Sequence, residues 1–103
     1  MKTIAYTPAH EADIRRNVKY IAVLRTNKAI PWDDMPFDDR YPLELPKGHW
    51  VCAHNCENKA NAGAKAQALK WHLTNGYQKA IGYHHCYNVK AADLEVVILR
   101  VER

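Results

Sequence analysis

No stretch of this chain approaches the roughly 18 apolar residues that a membrane-spanning helix requires. The N-terminal MKTIAYTPAHEADIRR also has none of the apolar run of a secretory signal. A cytoplasmic protein without membrane association is therefore expected. Cysteine is scarce as well: Cys52, Cys56 and Cys86 are an odd number, which without a secretory signal argues against a disulfide framework. The common catalytic signatures are missing. There is no glycine-rich phosphate cradle, no G-x-S-x-G elbow and no H-E-x-x-H helix. An enzyme is disfavoured on these grounds, although a cysteine–histidine nucleophile needs no such motif and stays open.

What is present describes a folded unit. At 103 residues, with 48% hydrophobic and 25% charged side chains, the composition is that of one globular domain over residues 1–103 and not of a disordered chain. The net charge of +4 is a sum of unlike parts. Residues 1–30 carry +4, residues 31–46 carry −4 and residues 47–103 carry +4. Basic ends attract phosphate or an acidic partner, while the acidic middle repels any polyanion laid across it.

The clearest local signal is helical. Between Ala60 and Leu73 seven alanines and leucines favour a helix. Asn55 or Asn58 can cap its start, Glu57 suits the dipole there, and Asn75-Gly76 stops it. Its apolar positions fall into two stripes. Ala62, Ala66, Leu69 and Leu73 should lie on a sheet. Ala60, Ala64, Ala68 and Trp71 form a shallow second stripe, to be covered by another element of the chain or by a partner.

Around this helix the chain reads as strands. Lys2–Tyr6 alternates and ends at Thr7-Pro8, where a second helix is expected to start, with Glu11 and Asp13 in its early turns. Residues 18–24 are β-branched and read as a strand, although Ile14, Val18 and Ile21 also sit at helical spacing. Further strands are expected at His49–His54, Tyr77–Tyr87 and Leu94–Val101. The sum is an α+β fold: an antiparallel sheet with two helices on one face, in ferredoxin-like β-α-β-β-α-β order with an extra C-terminal strand.

Three groups of residues are candidates for function. The first is a tandem repeat in a Pro/aromatic/Asp-rich loop at residues 31–46: Pro31-Trp32-Asp33-Asp34-Met35, then Pro36-Phe37-Asp38-Asp39-Arg40. Prolines at 31, 36, 42 and 46 exclude a regular strand or long helix there. Either aspartates cap turns while the aromatics pin the loop to the core, or Trp32, Phe37 and the aspartates Asp33, Asp34, Asp38 and Asp39 form a partner-binding surface with Trp71. Paired carboxylates also suit Mg²⁺, but adjacent aspartates point apart in most conformations.

The second group is Cys52, Cys56, His85 and Cys86, with His54 and His84 nearby. Cys52, His54 and Cys56 share one face of an extended strand. If the strand holding His84, His85 and Cys86 lay beside it, the set could hold zinc. Buried cysteines acting as small hydrophobes need no metal at all, and no cofactor is expected on that reading. The third group is basic and aromatic: Arg15, Arg16, Lys59, Lys65, Lys70, Lys79 and Tyr83. The helix bearing Lys59, Lys65 and Lys70 resembles, over some seventeen residues, the alanine- and lysine-rich closing helix of double-stranded-RNA-binding domains. The two strands that follow it do not belong to that pattern, and no residue role is carried over.

These features together suggest a small stand-alone interaction protein. Its expected partner is a protein or nucleoprotein complex that handles nucleic acid, which it regulates or inhibits. In size and character it is similar to phage-encoded inhibitors of host defence such as anti-CRISPR proteins. Direct nucleic-acid binding through the lysine-flanked helix and the aromatic strand is the alternative, and a Cys/His-dependent enzyme or zinc-stabilised module is a further one.

Overall fold

The computed structural model describes residues 2–10, 14–75, 87 and 89–103. In chain order it contains β1 (Thr3–Tyr6), β2 (Tyr20–Thr26), β3 (Ile30–Pro31), β4 (Glu44–Leu45), β5 (Trp50–Cys56), α1 (Lys59–Asn75), a single 3₁₀ turn at Ala91–Asp93, and β6 (Leu94–Val101). The main sheet has the order β1-β6-β2-β5. β1 runs parallel to β6, whereas β2 is antiparallel to both of its neighbours.

β2 and β6 are nearly continuous runs of β-branched and aliphatic residues because both of their faces are buried. Towards α1 they present Ala22, Leu24, Leu94 and Ile98, which pack with Cys56 and with Ala62, Ala66 and Leu69 of the helix. The opposite face presents Ile21, Val23, Val97 and Leu99, packed with Ile14 and Val18 and flanked by Ile4, Tyr6, Trp50 and Val101. At the edge, a β-bulge between Leu24 and Arg25 leaves Val51 opposite no single partner. One extra residue flips the alternation, so Trp50 reaches Tyr6 on the back face, at 5.5 Å between rings, while Val51 and Cys52 face α1.

The helix begins where a short acceptor is supplied. Asn58 takes the cap, its side-chain oxygen accepting from the Asn61 backbone N–H at 2.8 Å. The stripe Ala62, Ala66, Leu69 is buried on the sheet with Leu73 at its edge, whereas Ala60, Ala64, Ala68 and Trp71 are exposed.

The architecture corrects the expected one. It is α+β, but the sheet is mixed and not antiparallel, the ferredoxin-like order is absent, and the described residues contain one α-helix instead of two. The missing helix is the one expected from Pro8. Residues 11–13 lie outside the described set, but the chain on either side forms bends and a turn. A distant residue ties the described part of this segment. Arg103 donates to the backbone carbonyls of Arg15 at 2.6 Å and Val18 at 3.2 Å, and the Val18 N–H closes a tight turn onto the Arg15 carbonyl. Ile14, Val18 and Ile21, which also fitted a helical spacing, meet instead in the back-face core. The strand expected at Tyr77–Tyr87 lies outside the described residues except for Tyr87, which bridges to Trp32.

Candidate interaction surface

The 31–46 loop leaves the sheet between the end of β2 and the start of β5, and its neck is tightly built. Thr26, fully buried, donates its hydroxyl to the Pro46 carbonyl at 2.8 Å and accepts from the His49 N–H at 3.0 Å. Gly48 turns the chain there with φ of 85°, a conformation that glycine adopts without a Cβ penalty, and its N–H reaches the Thr26 carbonyl. β3 and β4 pair Ile30 with Leu45 and Pro31 with Glu44, closing the base as a two-residue ribbon. On the side of β6, Lys28 binds Asp93 at 3.1 Å. Burial pushes the Asp93 carboxyl up, but hydrogen bonds from Lys28 and the Lys90 backbone, with both lysine charges, outweigh it and hold its pKa below the usual value.

Beyond the neck, the two halves of the repeat diverge. Trp32 is half-buried and sits at a hub: Phe37 and Tyr87 meet its ring edge-to-face, each at 5.1 Å, and Tyr41 lies stacked at 6.3 Å. Its indole N–H donates to the Met35 carbonyl at 3.0 Å, and its backbone N–H to Leu43. Tyr87 in turn donates its hydroxyl to the Pro42 carbonyl at 2.6 Å. Phe37 instead faces outward, 47% exposed, beside Met35 at 42% and Leu43 at 66%. Trp32 thus anchors the platform that Phe37, Met35 and Leu43 present. The repeat gives both aromatics equal weight in sequence; their separate roles depend on Tyr87, far along the chain.

The carboxylates divide in the same way. Asp38 is clasped by Arg40, with 2.6 Å from Nη2 to Oδ2 and a further contact from Nε. The Arg40 side chain and its backbone N–H together lower the Asp38 pKa from 3.8 to about 2. A pKa lower in the folded chain means that the clasp is fully formed above 3.8 and is lost as the pH falls through about 2. An NMR titration of the Asp38 carboxyl carbon should give a midpoint near 2, moving towards 3.8 in Arg40→Ala. An unchanged midpoint in that variant would show that Arg40 is not the cause. Asp33, Asp34, Asp39 and Glu44 are exposed, with no ion pair among the described residues.

The second exposed feature is the outer face of α1. Trp71 is 61% exposed, next to an open depression of about 450 Å³ lined by Gln67, Lys70, Trp71, Thr74 and Asn75. Lys59, Lys65 and Lys70 are all exposed on this helix, which contains no acidic residue. Arg15 and Arg16 are exposed at the end of the sheet where β2 begins, opposite the end from which the acidic loop emerges. Arg15 and Arg16 are therefore separated in space from the acidic loop, whereas Lys28 and Lys47 stand at its neck. Lys79 and Tyr83 lie outside the described residues.

Cys52, His54 and Cys56 lie on the sheet face that carries α1, at register positions opposite Leu24, Ala22 and Tyr20. Cys52 Sγ is 3.8 Å from His54 Nε2, and Cys56 Sγ contacts the His54 carbonyl at 3.5 Å. Burial pushes the Cys56 thiol pKa up, which suits a packed hydrophobe more than a reactive thiolate. Among the described residues no three His, Cys, Asp or Glu side chains are grouped to hold a metal ion; His85 and Cys86 are outside that set. No described helix is long and apolar enough to cross a membrane. No protein-family model matches the chain, and no curated protein or solved structure is significantly similar to it.

Proposed function

We propose that the protein works by contact, docking its 31–46 loop onto a basic, partly apolar surface of another macromolecule and regulating or blocking it. The observation that carries this reading is the loop tip itself. Three large apolar residues, Met35, Phe37 and Leu43, are 42–66% exposed. Each is tied to Trp32, by the Met35 carbonyl, the Phe37 ring and the Leu43 carbonyl, in a segment that also carries exposed Asp33, Asp34, Asp39 and Glu44. Apolar anchors surrounded by charge are the usual anatomy of a protein interface, and a pre-ordered loop loses little entropy on binding. A basic surface of the kind borne by nucleic-acid-handling proteins is complementary to those carboxylates. Direct nucleic-acid binding is the second reading, favoured by the acid-free, lysine-bearing α1.

A minimal probe is an amphipathic helical peptide of leucine and lysine, followed by fluorescence anisotropy. The wild-type chain is expected to bind it, and Phe37→Ala or Asp33→Lys with Asp34→Lys to weaken binding at least tenfold. Equal affinity in both variants would remove the loop from the account. A short duplex RNA in the same assay tests the second reading, whose signature is affinity that falls steeply with added salt.

A further inference from the structure

All four large hydrophobic side chains that stand exposed among the described residues belong to two surfaces: Met35, Phe37 and Leu43 to the loop tip, Trp71 to the outer face of α1. The two surfaces are opposite in charge. Residues 31–46 carry −4, and α1 carries three lysines and no carboxylate. They are also opposite in relief. The loop tip presents projecting apolar side chains, while the helix presents a flat alanine stripe, Ala60, Ala64 and Ala68, ending in the depression beside Trp71. Each surface has on the same chain the features that its partner should have.

We propose that the chain forms a two-fold homodimer in which the loop tip of each copy docks on the α1 face of the other. Phe37 and its apolar neighbours cover the alanine stripe and the Trp71 depression, and Asp33, Asp34 and Asp39 face the lysines that flank them. The proposal rests on the loop being a docking surface: in the free protein a second copy occupies it, and the dimer must part before the loop meets another macromolecule. Like-with-like pairing of α1 would set lysines against lysines without a compensating acid, so the reciprocal contact is the favoured one. Two-fold symmetry makes the two loop–helix contacts equivalent and closes the assembly instead of propagating a chain. It also doubles the covered area. A specific interface covers about 800 Å² per partner, about an eighth of this chain's 6868 Å² of surface. A helix of 17 residues, about 25 Å long, with the neighbouring loop supplies a strip of that scale.

The test is a charge swap read by sedimentation equilibrium. Wild type is expected at twice the 11.9 kDa chain mass. Asp33→Lys, Asp34→Lys and Asp39→Lys together take the loop from −4 to +2, and Lys65→Glu with Lys70→Glu takes the helix from +3 to −1; each variant alone should be monomeric, because both of its contacts become repulsive. Mixed in equal amounts they should dimerise, since each reversed surface then meets its complement in both contacts. Circular dichroism of each variant checks that α1 and the sheet are retained. A monomeric wild type up to about 1 mM, a wild-type dimer unaffected by either reversal, or a mixture that stays monomeric would each overturn the proposal. Failure of the underlying reading looks different: there the loop-reversed variant would still bind the cationic peptide as tightly as wild type.

Discussion

Leu24→Ala is expected to lower the unfolding free energy by about 3 kcal/mol, within the range for truncating a buried leucine. Leu24 is fully buried on β2, paired with Cys52 on one side and Val96 on the other, and it packs in the cluster that includes Ala62, Ala66 and Leu69 of α1. Those helix partners are mostly alanine, too short to collapse into the space left behind. A domain of this size has only about 5–15 kcal/mol in total, so the midpoint of thermal unfolding should fall by about 10–20 °C. Urea denaturation followed by circular dichroism provides the measurement. Leu24→Met, which conserves volume, should cost less than about 1.5 kcal/mol. Similar losses in the two variants would mean that shape, not volume, governs the site.

Trp32→Ala should cost about 2–3 kcal/mol, below the usual value for a core tryptophan because the ring is half-buried. The more informative consequence is where the loss falls. Removing the hub leaves Phe37, Tyr41 and Tyr87 without their common contact and the Met35 carbonyl without its indole donor. Hydrogen exchange should then accelerate at the backbone amides of residue 32 and Tyr41 while those of Val23 and Val97 keep their protection. Uniform loss of protection would show that loop and sheet open as one unit. Binding of the cationic peptide should fall in this variant through loss of order, whereas Phe37→Ala should reduce binding and leave exchange unchanged. The two aromatics of the repeat are thus separable by experiment.

Much of the fold could be read from local sequence, for identifiable reasons. α1 declares itself by alanine content, a capping asparagine and a buried stripe at helical spacing. β2 and β6 declare themselves by β-branched runs that need burial on both faces. What could not be read depends on residues far apart. The helix expected after Pro8 gives way to a turn tied by Arg103, which is 85 residues beyond Val18. The parallel pairing of β1 with β6 has no local signature, and it replaces the ferredoxin-like order. In the loop, composition marks the segment but not the difference between Trp32, half-buried among three rings, and Phe37, 47% exposed. The exposure of Met35 and Leu43 has no local signature, because neither differs in sequence from an ordinary core residue.

The position of β6 also bears on how the chain is made. The strand flanked by both β1 and β2 comes last in sequence among the described strands, so neither β1 nor the β2–β5 pair has its neighbour until residues 94–101 have left the ribosome. Until then the aliphatic edge of β2 stands open in the nascent polypeptide. Cellular yield should accordingly depend on chaperone supply and on translation speed through the codons for residues 94–101, more than on the strength of any single contact in the finished molecule.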